Sequence, residues 1–295
     1  MKRTKSQRTP TAILTADWHL REDVPICRKD DFLQEQSNKL TQIRKLQEKY
    51  NCPVLHAGDL FHHWKPSPSL LSLALEHLPN KMFVVYGNHD LPQHNLDLSY
   101  KSGVYTLSLA EALTVLSETH WGEEPEEGSI VFPGKAKAAI WHVMTYSGQA
   151  PFPGCSDPPA EDLLLKYRNY DLILTGHNHK PFVEQTHDRI LVNPGSLTRQ
   201  TADETHDPVV YLWYAENNTV RPVNLSDQPA GNVITREHIE RQEDKQKRFE
   251  ALINKLNGPA EEISFKSNLE RHFSRHKTPK SVRNYIWEKY EGVYS

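Results

Sequence analysis

Short apolar runs alternate with longer amphipathic stretches through the first half of the chain. Ala12–Ala16, Pro53–Ala57 and Met82–Tyr86 are β-branched or aromatic in character and end at turn-forming residues, so they predict strands. Between the first two, Asp30–Tyr50 places Leu33, Leu40, Ile43 and Tyr50 at helical spacing. Pro66-Ser67-Pro68 opens a second helix through Leu71, Ala74, Leu75 and Leu78. This alternation is the pattern of βα units. Leu113–Leu116, Ile130–Phe132 and Ala138–Val143 then predict strands with short links, giving the second half a more antiparallel look. Ala160–Arg168 predicts a helix that feeds a strand at Leu172–Thr175, and Ile190–Asn193, Val209–Trp213 and Thr219–Val223 complete the set. Gly148–Pro159, rich in Pro and Gly, is a loop.

The pattern changes after about Asp227. Ile239, Phe249, Leu252, Ile253 and Leu256 line one face of a helix stopped by Asn257-Gly258-Pro259. Thr278-Pro279 predicts the cap and first turn of a last helix carrying Val282, Tyr285, Ile286 and Tyr290 on one face. The chain therefore reads as a flexible basic N-terminus over residues 1–10, a compact α/β domain over 11–226 and a helical extension over 227–295.

Composition fits a soluble globular protein, with 37% hydrophobic and 25% charged residues. No apolar run approaches the ~20 residues that would cross a bilayer, so no membrane role is expected. Cys27, Cys52 and Cys155 are odd in number and lack CxxC spacing. They give no disulfide framework and fit a reducing, cytoplasmic setting. Net charge is −3, but 231–295 hold 13 Lys+Arg against 10 Asp+Glu, leaving −6 for 1–230. Lys266, Arg271, Arg275, Lys277, Lys280, Arg283 and Lys289 concentrate that excess. A solvated helix face explains it most simply; a lobe touching phosphate backbone or an acidic partner is the sharper reading.

Five blocks carry the candidate chemistry: Asp17-Trp18-His19, Gly58-Asp59, Gly87-Asn88-His89-Asp90, His142 and Gly176-His177-Asn178-His179. Each follows an apolar run, so carboxylate, imidazole and amide groups arrive at the ends of successive strands. Phosphodiesters resist hydrolysis because an anion repels the attacking hydroxide and the leaving alkoxide is poor. Two divalent cations about 3.5–4 Å apart ease both problems, by acidifying a water and by neutralising the phosphoryl oxygens. Asp59, on a tight turn, is the natural carboxylate to bridge them. Asp17 and His19 can converge on one ion only where the backbone leaves strand geometry, while His177 and His179 would serve different ions. A mixed nitrogen and oxygen set suits manganese, iron or zinc better than magnesium. Alone, Asp-Trp-His or Gly-Asp is a common turn sequence, and His62-His63 could be plain loop residues. Five blocks in this order are far more specific.

These blocks resemble the calcineurin-like metallophosphoesterase superfamily, over most of residues 11–225. Within it, Gly58-Asp59-Leu60-Phe61-His62-His63-Trp64-Lys65-Pro66-Ser67 is similar to the corresponding stretch of SbcD-type DNA-repair nucleases, the meiotic-recombination-eleven family. The resemblance implies two facing mixed β-sheets flanked by helices, here with a small C-terminal helical extension. It implies one metal at Asp17, His19, Asp59 and His179, and a second at Asp59, Asn88, His142 and His177. His89 would then steady the transition state or protonate the leaving oxygen, with His62 beside it. Manganese is the implied metal, DNA the implied substrate, and an SbcC-type ATPase the implied partner of the C-terminal helices. A homodimer through Asp97–Ala112 is a further implication. The stretch from His89 to His142 is shorter than in full repair nucleases, and the extension after Asp227 is too short for their usual capping domain. The rival readings are a small-molecule phosphodiesterase and, more remotely, a scaffold with a vestigial site.

Overall fold

The computed structural model describes residues 9–116, 129–132, 134, 136–225, 228–256 and 265–294. Two compact units emerge, Met1–Thr235 and Arg236–Ser295. The flexibility expected near the N-terminus falls largely on residues 1–8, outside the described residues, as do Asp227 and the helix stop at Asn257-Gly258-Pro259.

In the first unit, one sheet contains β1 (Ala12–Thr15), β2 (Val54–His56), β3 (Met82–Val84), β4 (Thr114–Val115), β10 (Val209–Tyr214) and β11 (Thr219–Asn224), ordered β11-β10-β1-β2-β3-β4. The other contains β5 (Ser129–Val131), β6 (Lys137–Trp141), β7 (Leu172–Thr175), β8 (Phe182–Thr186) and β9 (Arg189–Asn193), ordered β5-β6-β7-β9-β8. β1 to β4 are parallel, and β10 and β11 add an antiparallel margin. The second half is mixed rather than mainly antiparallel. β6, β7 and β9 run parallel, whereas β5 and β8 at the margins of that sheet, and β10 and β11 in the first, oppose their neighbours. The reason lies in the connections. α4 (Ala160–Lys166) carries the chain back from β6 to start β7 in the same direction, and β8 does the same between β7 and β9.

Alternation along each strand builds the layers. Ala12 and Leu14 face Leu55, Ile140, Leu174 and Val192 in a core between the two sheets. Ile13 and Val54 face the other way, onto Leu40 and Ile43 of α1 (Phe32–Tyr50), Leu70 and Ala74 of α2 (Pro68–His77) and Leu107 of α3 (Gly103–Leu109). On the far side, Ala139, Ile173 and Leu191 pack against Leu163 and Leu164 of α4. Strands buried on both faces read as unbroken apolar runs, which is why they were visible in the sequence. The fold is the expected one: two mixed sheets flanked by helices, with a helical C-terminal unit.

Capping sets the helix starts. Asp31 accepts a hydrogen bond from the Gln34 amide at 3.0 Å, and Ser67 Oγ accepts from the Leu70 amide at 3.1 Å, with Pro68 in the first turn. The buried face of α1 uses Phe32, Gln36, Lys39, Leu40 and Ile43, so Leu33 points outward instead of joining the core. Leu75 of α2 is likewise exposed. The second unit has three described helices, Glu237–Leu256, Phe265–Arg275 and Lys280–Tyr294, one more than the sequence pattern shows. Phe273 is buried and packs edge-on against Trp287, while Phe265 stacks on Tyr290. Phe249, Leu252 and Ile253 stay exposed. No described helix is long and apolar enough to cross a membrane.

Candidate metal centre

The five blocks meet at the carboxyl ends of the central strands, where an α/β sheet leaves a crevice. Asp17 and His19 follow β1, Asp59 follows β2, Asn88 and His89 follow β3, His142 follows β6, and His177 and His179 follow β7. The backbone departs from strand geometry at these points: φ is +49° at Asp17, +44° at His19, +55° at Asp59 and +73° at His177. A left-handed conformation costs a non-glycine residue on the order of 1–2 kcal/mol, so four of them in one crevice mark a strained, purpose-built site. Gly58 makes the approach of the sheets feasible. Its φ is +86°, and a Cβ there would lie 2.6 Å from His142 Nδ1.

Two donor clusters result, joined by one carboxylate. In the first, His19 Nε2 stands 3.0 Å from His179 Nε2 and 3.4 Å from Asp59 Oδ2. In the second, His142 Nε2 lies 3.3 Å from Asp59 Oδ2 and 3.0 Å from Asn88 Oδ1, and His177 Nδ1 lies 3.1 Å from Asn88 Oδ1 and 3.3 Å from His142 Nε2. Asp17, His19 and His179, and likewise Asp59, His142 and His177, bring one potential ligand atom each to within 4.8 Å of one another. Donor atoms about 2.1 Å from a shared ion and about 90–109° apart would be separated by roughly 3.0–3.4 Å. The observed spacings have that size. Asp17 Oδ2 is buried without a hydrogen-bond partner, an atom that a cation would satisfy. The residues therefore fit two divalent cations.

Other contacts hold the donors in place. His142 Nδ1–H donates to the Ala57 carbonyl at 2.7 Å, turning Nε2 inward as a ligand atom. The His177 amide donates to Asp17 Oδ1 at 2.9 Å. The buried Asp90 carboxylate accepts from the amides of Gly87, Leu60 and Phe61, tying the second block to the third. His89 Nδ1–H donates to the His62 carbonyl at 2.7 Å, and the His89 ring sits edge-on to His19 with centroids 4.8 Å apart. His19, His62 and His89 form a third group of converging nitrogens, so the two residues expected to act on substrate border the first cluster.

Burial and charge pull the titrations apart. Burial pushes Asp17 up to about 6, against the pull of His142 and His179. Burial would also raise Asp59, but His142, His19 and His89 outweigh it and hold its carboxyl well below the usual range. Burial lowers His19 far below the ordinary imidazole value, and takes His177 and His62 down to about 4. His142 goes the other way, because Asp59 and Asp17 overcome its burial and lift it to about 9. Neutral imidazoles at His19 and His177 beside the ionised Asp59 suit a cation, which would have to displace the proton that Asp59 and Asp17 hold on His142.

Sequence reasoning missed Glu204. Its carboxylate, 6% exposed, accepts from His179 Nδ1–H, Ser196 Oγ–H and the Gln200 amide, all at 2.9 Å. It lies in a loop with no motif spacing to flag it.

The calcineurin-like phosphoesterase superfamily domain model matches residues 13–216. The DNA double-strand break repair protein Mre11 of Methanocaldococcus jannaschii is 25% identical over 238 residues, which are 72% of this chain and 64% of that protein, so the match spans under two-thirds of its relative. Among solved structures, a novel archaeal phosphodiesterase aligns with a TM-score of 0.43 and 17% identity, over 72% of this chain and 98% of its own. Vacuolar protein sorting 29 of Cryptosporidium parvum aligns with a TM-score of 0.37 and 17% identity, over 73% and 97%. With the family model covering all five blocks and the strands that deliver them, the chain belongs to the calcineurin-like phosphoesterase superfamily and is a metal-dependent hydrolase.

Proposed function

We propose that this chain is a two-metal DNA nuclease of the SbcD type. The observation that carries the two-metal reading is the position of Asp59 Oδ2, 3.4 Å from His19 in one donor cluster and 3.3 Å from His142 in the other. In this reading Asp17, His19, Asp59 and His179 hold one cation, and Asp59, Asn88, His142 and His177 hold the second. Manganese suits the donor set, with iron, zinc or magnesium as alternatives. The bound cations supply Lewis acidity that activates water and offsets charge on the phosphoryl oxygens.

The protein's own groups do the rest. The inward-facing nitrogens and carboxylates would fix where the cations, and through them the phosphodiester, sit in the crevice. His89, with Nδ1–H committed to the His62 carbonyl, has Nε2 left for the substrate, and as an imidazolium carrying a second proton there it would stabilise the transition state or protonate the leaving oxygen. His62 stands beside it, with ring centroids 5.2 Å apart. DNA as substrate is supported by the similarity to a double-strand break repair protein and by the Gly58–Ser67 stretch. The basic C-terminal unit would add backbone contacts or dock an SbcC-type ATPase, and Asp97–Ala112 would serve a homodimer. Three free cysteines favour a reducing, cytoplasmic location.

A small-molecule phosphodiesterase is the second reading. A cavity of about 270 Å³ adjoins His62, lined by Arg21, Glu22, Asp23, His63 and Lys65 among others. Its size suits a single nucleoside or sugar, and its two carboxylates are poorly suited to a polyanion. The deciding experiment is an activity panel of linear, circular and hairpin DNA beside mononucleotide diesters, with manganese, magnesium and chelator. Cleavage of diesters with DNA left intact would overturn the nuclease reading.

A further inference from the structure

We propose that Glu204 is a positioning residue for His179, and that its carboxylate makes the two halves of the centre unequal, so that the half containing Asp17 and His19 binds its cation more tightly. The inference rests on the two-metal reading above and adds a residue and a loading order to it.

The argument starts from the partners of the inward-facing imidazoles. A carboxylate can only accept, so the 2.9 Å contact fixes the proton of neutral His179 on Nδ1 and leaves Nε2 as a lone pair facing His19 Nε2. His142 has an equivalent arrangement, but its Nδ1–H donates to the neutral Ala57 carbonyl. A carboxylate behind an imidazole makes it a stronger donor than a carbonyl does. The negative charge is also unevenly spread. The first cluster has Asp17 and Glu204 beside the shared Asp59, whereas Asn88, His142 and His177 bring only neutral donors to the second.

Glu204 is built into this position. Ser196 and the Gln200 amide both donate to its second oxygen, Oε2, so Oε1 is aimed at His179. The loop comes close because Gly195 adopts φ +71°, where a Cβ would lie 2.5 Å from the His179 carbonyl, and because the Ser196 amide donates to that carbonyl at 3.1 Å. Arg199 anchors the far side, donating to the His206 carbonyl and to Asp207, both at 2.8 Å. Glu204 belongs to none of the apolar clusters that pack the sheets, so its replacement should leave them intact.

Two readouts test the proposal on the full chain, in wild type, Glu204→Gln and Glu204→Asp. The first is calorimetric titration of metal-free protein with manganese. Wild type should bind in two steps, and Glu204→Gln should weaken the tighter step by roughly 10–100-fold while the weaker step stays in place. Glu204→Asp should recover part of that loss. The second is nitrogen-15 NMR of histidine-labelled, metal-free protein at a pH high enough to keep the ring neutral, where His179 should be the Nδ1–H tautomer in wild type and a mixture in Glu204→Gln. An unchanged tautomer, or a tighter step within twofold of wild type, would overturn the role of Glu204. Wild type binding no manganese, with the tautomer shift still present, would overturn the two-metal reading and the loading order while leaving the positioning contact standing.

Discussion

The backbone amide of His89 donates to Asp59 Oδ1 at 2.8 Å. That bond occupies one carboxylate oxygen and leaves Oδ2 for the two donor clusters on either side. The third block thus sets the orientation of the second, and a single aspartate governs both halves.

Replacing Asp59 with Ala should therefore empty both halves together. Metal content of the purified variant, measured by atomic emission, should fall to a small fraction of wild type. Near two ions per chain would contradict the bridging role.

His89→Ala should behave differently. It removes the group proposed to act on the leaving oxygen but none of the seven proposed ligands. Metal content should stay near wild type while turnover falls by roughly 10²–10⁴-fold, the usual contribution of general acid–base catalysis. Wild-type turnover would rule His89 out.

His56 predicts an acid-sensitive stability. It is fully buried against Trp18, both ring nitrogens lack partners, and burial, with help from His142, lowers it from 6.5 to about 3. The unfolded chain takes up a proton below pH 6.5 that the folded chain refuses until about pH 3. Its contribution is therefore present above pH 6.5 and lost as pH falls, by up to about 1.4 kcal/mol per pH unit. Urea melts of metal-free protein at successive pH values should show a shallower acid slope in His56→Phe than in wild type.

Gly58→Ala should damage the centre more than its single methyl suggests. The side chain would be forced into a left-handed backbone and against the His142 ring. We expect a lower melting temperature and loss of metal binding; a variant that binds metal normally would show that the loop can shift.

Truncation after Asn257 should reduce DNA affinity, and its salt dependence, more than it reduces hydrolysis of a small diester. Equal loss of both would indicate misfolding instead.

The strands that deliver the blocks were legible because burial on both faces leaves unbroken apolar runs, as in Ala12–Thr15 and Leu172–Thr175. The ligand blocks were legible because each sits where such a run stops. β8 was not, since Phe182–Thr186 is a part-exposed edge strand whose Glu and Gln hide its alternation. α3 is seven residues opening on Gly103, too short for a helical period to stand out. Glu204 escaped for another reason: its partner His179 is 25 positions away, and only the fold of the Gly195 loop brings them together.

The left-handed turns at Asp17, His19, Asp59 and His177 have a broader consequence. A chain optimised only for durability would put glycine or asparagine there, and would surrender its ligands in doing so. Heat resistance and chemistry therefore compete for the same four positions, and the surrounding apolar layers must be sturdy enough to hold the crevice open against its own relaxation.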